Sequence, residues 1–336
     1  MKKIWKRIAA LLMCLALMAP AAGLAAEGDA VLARRNGMDG FTDYISHGFV
    51  LGDQLVLLGS ESVYTWRHGE ADLIAIPWDL TATTAMYGSV MEEEDGERAY
   101  TNYQTLAVYT DGEEIYLVVG TSTMLESDGF STFDGAQLWT LDISGEKAAA
   151  EPVEDSEIDW EELVDYYGDE SYPRSLEGCV WLDGVLYGVT YGSNDMEAYA
   201  IPTDGGYCEI LEDVPTPRSV SLYKDGKVLF SSFDYNDPEQ FRFVAWDPEE
   251  EELEEVCAIE IERYVTPSSI VYDEQTDRIY YTMQGLLIAL DPETGAREEV
   301  NDVPSSFSGN DSAMILPGGY YAAVGYEAVI VRNTDP

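Results

Sequence analysis

Residues 278–300, RIYYTMQGLLIALDPETGAREEV, decide how the rest of the chain is read. The run 278–283 is rich in β-branched and aromatic residues, and 286–290 is almost wholly apolar and of strand length. Asp-Pro-Glu-Thr-Gly at 291–295 is a turn, with proline presetting φ and glycine free to take φ > 0. The unit is therefore strand, short turn, strand, tight turn, strand, and it recurs five more times. Its first strand matches QLVLLG (54–59), IYLVVG (115–120), LYGVTY (186–191), VLFSS (228–232) and YYAAV (320–324). Its second, LIALD (287–291), matches LWTLD (138–142), AYAIP (198–202), FVAWD (243–247), VYTWR (63–67) and VIVRN (329–333). Hairpin pairs stand before most copies: Gly52-Asp53, Asp111-Gly112, Asp183-Gly184, Asp225-Gly226 and Gly318-Gly319.

A further strand precedes each unit, such as 176–182, 219–223 or 268–272, and an acidic strand follows it, such as 252–259 or 296–300. Four-stranded antiparallel sheets repeated about every 40–50 residues predict an all-β fold, a six-bladed β-propeller. The blades fall near 44–77, 104–152, 175–212, 217–259, 266–300 and 309–333. The last copy stops at the turn where every other copy continues. The stretch 29–35 has strand character and precedes the first blade, so it is expected to close the ring as the missing strand. The insert 156–167, SEIDWEELVDYY, has a capping Ser/Asp start, early acids and Gly168 as a stop, and predicts a short helix.

The N-terminus reads differently. Lys2, Lys3, Lys6 and Arg7 precede an apolar run over 8–19, then Pro20 and small residues. That is the pattern of a cleavable export signal over 1–25, which leaves one propeller domain over 26–336 and an extracellular or cell-envelope location. The run is too short to span a bilayer, so no integral membrane segment is expected after cleavage. The 336 residues carry 18 basic against 64 acidic side chains, a net charge of −46. Phosphate binding needs a basic surface, so nucleic acid is excluded as a partner and anionic membrane is disfavoured. Beyond the leader stand Cys179, Cys208 and Cys257, an odd number that reads as buried small hydrophobes. With His47 and His68 the only histidines, no ordinary zinc site is expected.

Strand alternation puts the tight first–second and third–fourth turns on one rim. The long connections 78–103, 121–135, 153–175, 191–195 and 233–240 share the other. Elaborated loops at one end of a rigid scaffold are where function concentrates. The ligand-binding candidates there are Phe130, Phe133, Trp160, Tyr191, Asp195, Phe233, Tyr235 and Asp237. Aromatic faces beside carboxylates suit stacking on sugar rings or gripping a peptide or cationic group, whereas any one ring alone reads as a pin holding its loop down. Asp234, Asn236 and Asp237 form a weak oxygen-ligand set for Ca²⁺ without the glycine and later glutamate of an EF-hand; no other cofactor is expected. No catalytic residue is identifiable, since a carboxylate pair cannot be singled out among 64 acids.

The segment RIYYTM (278–283) followed by LLIALD (286–291) resembles blades of YWTD and TolB-like six-bladed propellers of exported bacterial proteins. More distantly, LDPETG (290–295) resembles quinoprotein blades, although Glu299 stands near the place of their docking tryptophan. The arrangement also resembles the N-terminal propeller that precedes solute-binding-type domains. These resemblances imply a fold, with three functions open: a non-catalytic module binding carbohydrate, peptide or extracellular protein; a carbohydrate-active hydrolase or lyase using acids near the central opening; or a structural or sensor module of a longer exported protein.

Overall fold

The computed structural model describes residues 32–35, 43, 45–94, 97–127, 129–167, 170–192, 195–233, 237–262, 265–303, 312–324 and 327–332. The leader read from the sequence lies outside them, as do Asp234, Tyr235 and Asn236. A first strand, β1 (Leu32–Arg35), is followed by blade 1: β2 (Ile45–Leu51), β3 (Gln54–Gly59), β4 (Ser62–Arg67) and β5 (Ile74–Pro77). Helix α1 (Leu80–Tyr87) then leads into blade 2, formed by β6 (Ser89–Glu94), β7 (Glu97–Thr110), β8 (Ile115–Leu125), β9 (Ser131–Asp142) and β10 (Ala149–Ile158). A hairpin of β11 (Val164–Tyr167) and β12 (Glu170–Pro173) precedes blade 3, with β13 (Gly178–Leu182), β14 (Val185–Tyr191), β15 (Met196–Pro202) and β16 (Glu209–Ile210). Blade 4 comprises β17 (Pro217–Tyr223), β18 (Lys227–Phe233), β19 (Gln240–Asp247) and β20 (Glu252–Glu260). Blade 5 comprises β21 (Ser268–Asp273), β22 (Arg278–Met283), β23 (Leu286–Leu290) and β24 (Arg297–Asp302). Blade 6 has β25 (Ser312–Leu316), β26 (Tyr320–Val324) and β27 (Glu327–Arg332), completed by β1, which pairs antiparallel with β27 from Leu32 opposite Ile330 to Arg35 opposite Glu327.

The first full-length strand of each blade is its innermost one, and these six adjoin in turn: β2, β7, β13, β17, β21, β25 and back to β2. The chain is a six-bladed β-propeller. Six apolar cores fill the six seams between neighbouring blades. In β22, Ile279 and Tyr281 face blade 4 while Tyr280 faces blade 6. A strand buried on both faces reads as a continuous apolar run instead of an alternating one, which is why 286–290 is LLIAL.

Turn chemistry follows the repeat. Asp183-Gly184 and Asp225-Gly226 have positive φ at both residues, the type I′ geometry that matches strand twist. The aspartates ending the third strands of blades 2, 4 and 5 cap the turns that follow. Asp291 accepts from the backbone N–H groups of Glu293 and Thr294 at 3.0 Å each, and Asp142 accepts from Ser144 N–H at 2.8 Å. Asp247 accepts from Glu249 N–H at 3.1 Å and Glu250 N–H at 3.3 Å. These N–H donors hold all three carboxyls below the usual carboxylate range. In blade 1 the buried Asp43 does comparable work, accepting from Ser60 N–H (2.7 Å), Glu61 N–H (3.2 Å) and the Tyr64 hydroxyl (2.9 Å).

The helical insert near 156–167 is a single 3-10 turn, Glu161–Leu163, between the end of β10 and β11. Its apolar residues Ile158, Trp160 and Leu163 go into the seam between blades 2 and 3, and pairing of 164–167 with 170–173 wins over helix propagation. The one α-helix among the described residues is α1, capped by Asp79, whose side chain accepts from Ala82 N–H at 2.9 Å. It buries Ala82, Ala85 and Met86 in the seam between blades 1 and 2.

On β2, burial brings His47 down from its ordinary 6.5 to about 4, with Nδ1 2.9 Å from Ser46 Oγ. An imidazole neutral in the fold and protonated below 6.5 when unfolded contributes stability above that pH, and loses it as the pH falls toward 4. His47→Gln is therefore expected to lose less stability than the parent over that window, by up to about 3 kcal/mol. Urea midpoints at several pH values check this; identical losses in the two proteins would refute it.

Candidate binding face and central channel

Blade 2 overgrows one rim. Its β7, β8 and β9 run to 14, 11 and 12 residues, where β22 and β23 of blade 5 have 6 and 5. The long connections read from the sequence as loops are thus mostly sheet: 121–135 continues β8 and β9, and 78–103 forms α1, β6 and the start of β7. In sheet order β6 lies beyond β7, on the side away from β8, so it extends the blade inward toward the propeller axis. The β11–β12 hairpin packs against β9, where Phe133 N–H donates to Ser171 Oγ at 2.6 Å.

Large apolar side chains stand exposed on this overgrown rim. Met91 and Tyr191 are each 53% exposed, Tyr166 64% and Phe130 44%, with Tyr87, Val90, Leu125 and Tyr172 exposed beside them. The opposite rim carries the tight turns.

Of the sequence candidates, Phe130 and Tyr191 are exposed at this rim. Phe133 is half-buried. Two others are corrections. Trp160 is 1% exposed in the blade 2–blade 3 seam, its Nε1 donating to Arg174 O at 2.9 Å, and Phe233 is 3% exposed in the blade 4–blade 5 seam. Phe233 ends β18 and Trp160 stands just before the 3-10 turn, and in both places the neighbouring blade covers the ring, so neither offers a face to a ligand. Asp195 pairs with Arg218 Nη2 at 3.3 Å. Asp237 is half-buried, and its carbonyl accepts from Gln240 N–H at 3.1 Å; its two Ca²⁺ companions lie outside the described residues.

Arg174, absent from the sequence reading, anchors the rim. Its guanidinium donates to the carbonyl of Glu162 at 2.8 Å, lies 3.6 Å from both Asp165 and Glu197, and stacks 5.7 Å from the centre of the Tyr199 ring. One half-buried cation thereby ties the β11–β12 hairpin to blade 3.

Along the axis, the six innermost strands enclose a channel of about 700 Å³. Its wall is largely apolar, with Val108, Val180, Val220, Val271 and Ile315 from five different blades. Near the overgrown rim it carries hydroxyls that pair across strands: Ser219 with Ser231 at 2.7 Å, and Ser268 with Thr282 at 3.0 Å. Cys179 also lines it, donating to Val108 O at 3.1 Å. Burial pushes the Cys179 and Cys208 thiols up to about 12, so both are inert packing groups. The sequence carries a signal for this wall: PRSVS (217–221) and PSS (267–269), at the start of two innermost strands, each combine a proline with small hydroxyl residues.

No protein-family model matches the chain, and comparison with curated proteins finds no relative. Solved structures do resemble it. One is the nidogen–laminin complex, at 9% identity over 81% of this chain and 85% of that one, TM-score 0.45. A second is oligogalacturonate lyase in complex with manganese, at 10% over 88% and 78%, TM-score 0.42. YCF48 bound to a D1 peptide is a third, at 11% over 90% and 95%, TM-score 0.44. Similarities of this size carry no function; the propeller assignment rests on the sheet topology above.

Proposed function

We propose that this chain is an exported, non-catalytic propeller that holds a protein or extended peptide partner on its overgrown rim. The observation that carries the reading is the exposed set Met91, Val90, Leu125 and Phe130 on the extension of blade 2. Val90 and Leu125 lie on one face of this extension and Met91 on the other, so exposed apolar side chains border both faces of a rigid element, as a partner that clasps the rim requires. Sugar stacking needs ring faces, and Met91, Val90 and Leu125 have none. The surplus of acid, a net charge of −46, calls for a partner with a basic rim around its apolar contacts. The leader pattern at 1–25 supports export. A hydrolase using acids at the opening fits less well, because among the described residues the channel wall carries one carboxylate, Glu177, and Asp195 is held by Arg218.

A random-peptide display library panned on the immobilised protein is expected to enrich sequences with Lys or Arg flanking aromatic or aliphatic residues. Met91→Glu combined with Phe130→Ser should weaken the best of them by at least about tenfold, the scale of one interface hot spot. Binding unchanged in that variant, or a glycan array that responds where peptides do not, would refute the reading.

A further inference from the structure

We infer that the central channel is itself a binding site, for a neutral, elongated apolar molecule bearing one hydroxyl group, seated with the hydroxyl toward the overgrown rim. This goes beyond partner binding on the rim, because the site is the interior beneath it. The volume of about 700 Å³ is that of a small-molecule site, and most of the wall is aliphatic or aromatic. Such a surface favours a guest that removes apolar area from water.

Charge selects further. Among the described residues the cation of the wall is Arg218, which already holds Asp195 at 3.3 Å, so an anionic guest would have to displace a carboxylate. The surrounding protein, at −46, repels anions in any case. A cation would meet only Glu177 among the described carboxylates of the wall, and that carboxylate is already engaged, so the large desolvation cost of entering a mostly apolar channel leaves a neutral guest.

Polarity along the axis sets the orientation. Ser219, Ser231, Ser268, Ser269 and Thr282 gather toward the overgrown rim, whereas Trp181, Leu222 and Ile315 line the other end. Four of those five hydroxyls satisfy one another, Ser219 with Ser231 and Ser268 with Thr282. The fifth does not. Ser269 is 2% exposed, its Oγ has no hydrogen-bond partner, and its backbone sits at φ 52° in the bulge of β21 between Ser268 and Val271. Its carbonyl is fixed by the Tyr321 hydroxyl, which donates to it. A buried hydroxyl without a partner in a strained left-handed conformation is an unsatisfied hydrogen-bonding group in the channel wall. Serine has a single side-chain torsion to a hydroxyl, so one rotamer change presents that oxygen to a guest.

The probe is N-phenyl-1-naphthylamine, neutral and apolar, added to the full chain and read by energy transfer from tryptophan. Expected are saturable binding at one site and reduced transfer in Trp181→Phe. Displacement by 1-decanol should need at least about tenfold less competitor than displacement by decanoate. Ser269→Gly should weaken the decanol competition about five- to tenfold, the equivalent of one lost hydrogen bond, with probe binding unchanged. Glycine suits φ 52°, so the same variant should melt no lower than the parent, which separates lost recognition from lost folding. Equal displacement by decanol and decanoate, a decanol response unaltered in Ser269→Gly, or undiminished probe binding when Ala313→Trp fills the channel would each overturn the inference. Peptide binding at the rim is read separately, so either result can fail alone.

Discussion

Trp66→Ala is expected to lower folding stability by about 3–5 kcal/mol, the range for removing a fully buried tryptophan. Trp66 is 1% exposed on β4, and its ring meets Tyr320 of blade 6 edge-on, with centroids 5.6 Å apart at 75°. Both lie in the seam where the last blade meets the first, packed with Ile45, Leu55, Leu57 and Ile330. The indole Nε1 also donates to Glu70 O at 3.0 Å, so alanine leaves a cavity and unpairs that carbonyl. Five of the six seams join blades that are neighbours in sequence; this one joins the two ends of the chain. Its loss is therefore expected to open the ring as well as weaken a core. Urea unfolding measures the change, and limited proteolysis should cut the variant first in blades 1 and 6. A loss under about 1 kcal/mol would show that the seam relaxes around the gap.

A chain beginning at residue 36 instead of 26 should be the second most damaged. It lacks β1, which pairs residue by residue with β27 from Leu32 to Arg35. At about 0.5–1.5 kcal/mol for each backbone hydrogen bond, four paired residues contribute roughly 2–6 kcal/mol. The truncation also bares the edge of β27, and an unpaired edge recruits other strands, so concentration-dependent association is expected. Adding the peptide 27–36 in trans should restore the melting temperature and suppress that association. A truncated chain that stays monomeric and melts with the parent would remove β1 from any role in closure.

Much of this architecture was legible because repetition averages out ambiguity. One apolar run such as LLIAL at 286–290 is a strand or a buried helix segment by pattern alone. Six aligned runs, with Asp-Gly turns before them and Asp caps after several, admit one reading. The closure strand was legible from a shortage, since the last copy ended one strand early. The insert at 156–167 was harder, because acids at a helix start and acids on an exposed strand look the same in sequence; cross-strand pairing and the seam decided the matter.

The site was less legible than the fold. Exposed rings at a rim and rings filling a seam have the same composition: Tyr191 stands 53% exposed, whereas Phe233, at the corresponding end of β18, is 3% exposed because Phe241, Phe243 and Tyr281 close over it. In the sequence Arg174 and Arg218 are lone basic residues on a very acidic chain. Their importance comes from carboxylates and carbonyls distant in sequence, Glu162 and Asp165 for one and Asp195 for the other.

What the sequence determined by itself is what local spacing and composition carry: strand period, turn type, blade number, the rim on which the chain lengthens, and a strongly acidic net charge. Only the tertiary structure decided that the connections 78–103 and 121–135 are helix and sheet more than loop, which aromatic side chains reach solvent, and that Ser269 lies unpartnered in the channel wall. The physical reason is range. Backbone geometry and turns are set by residues a few positions apart, whereas exposure and hydrogen-bond satisfaction are set by whichever blade is packed alongside.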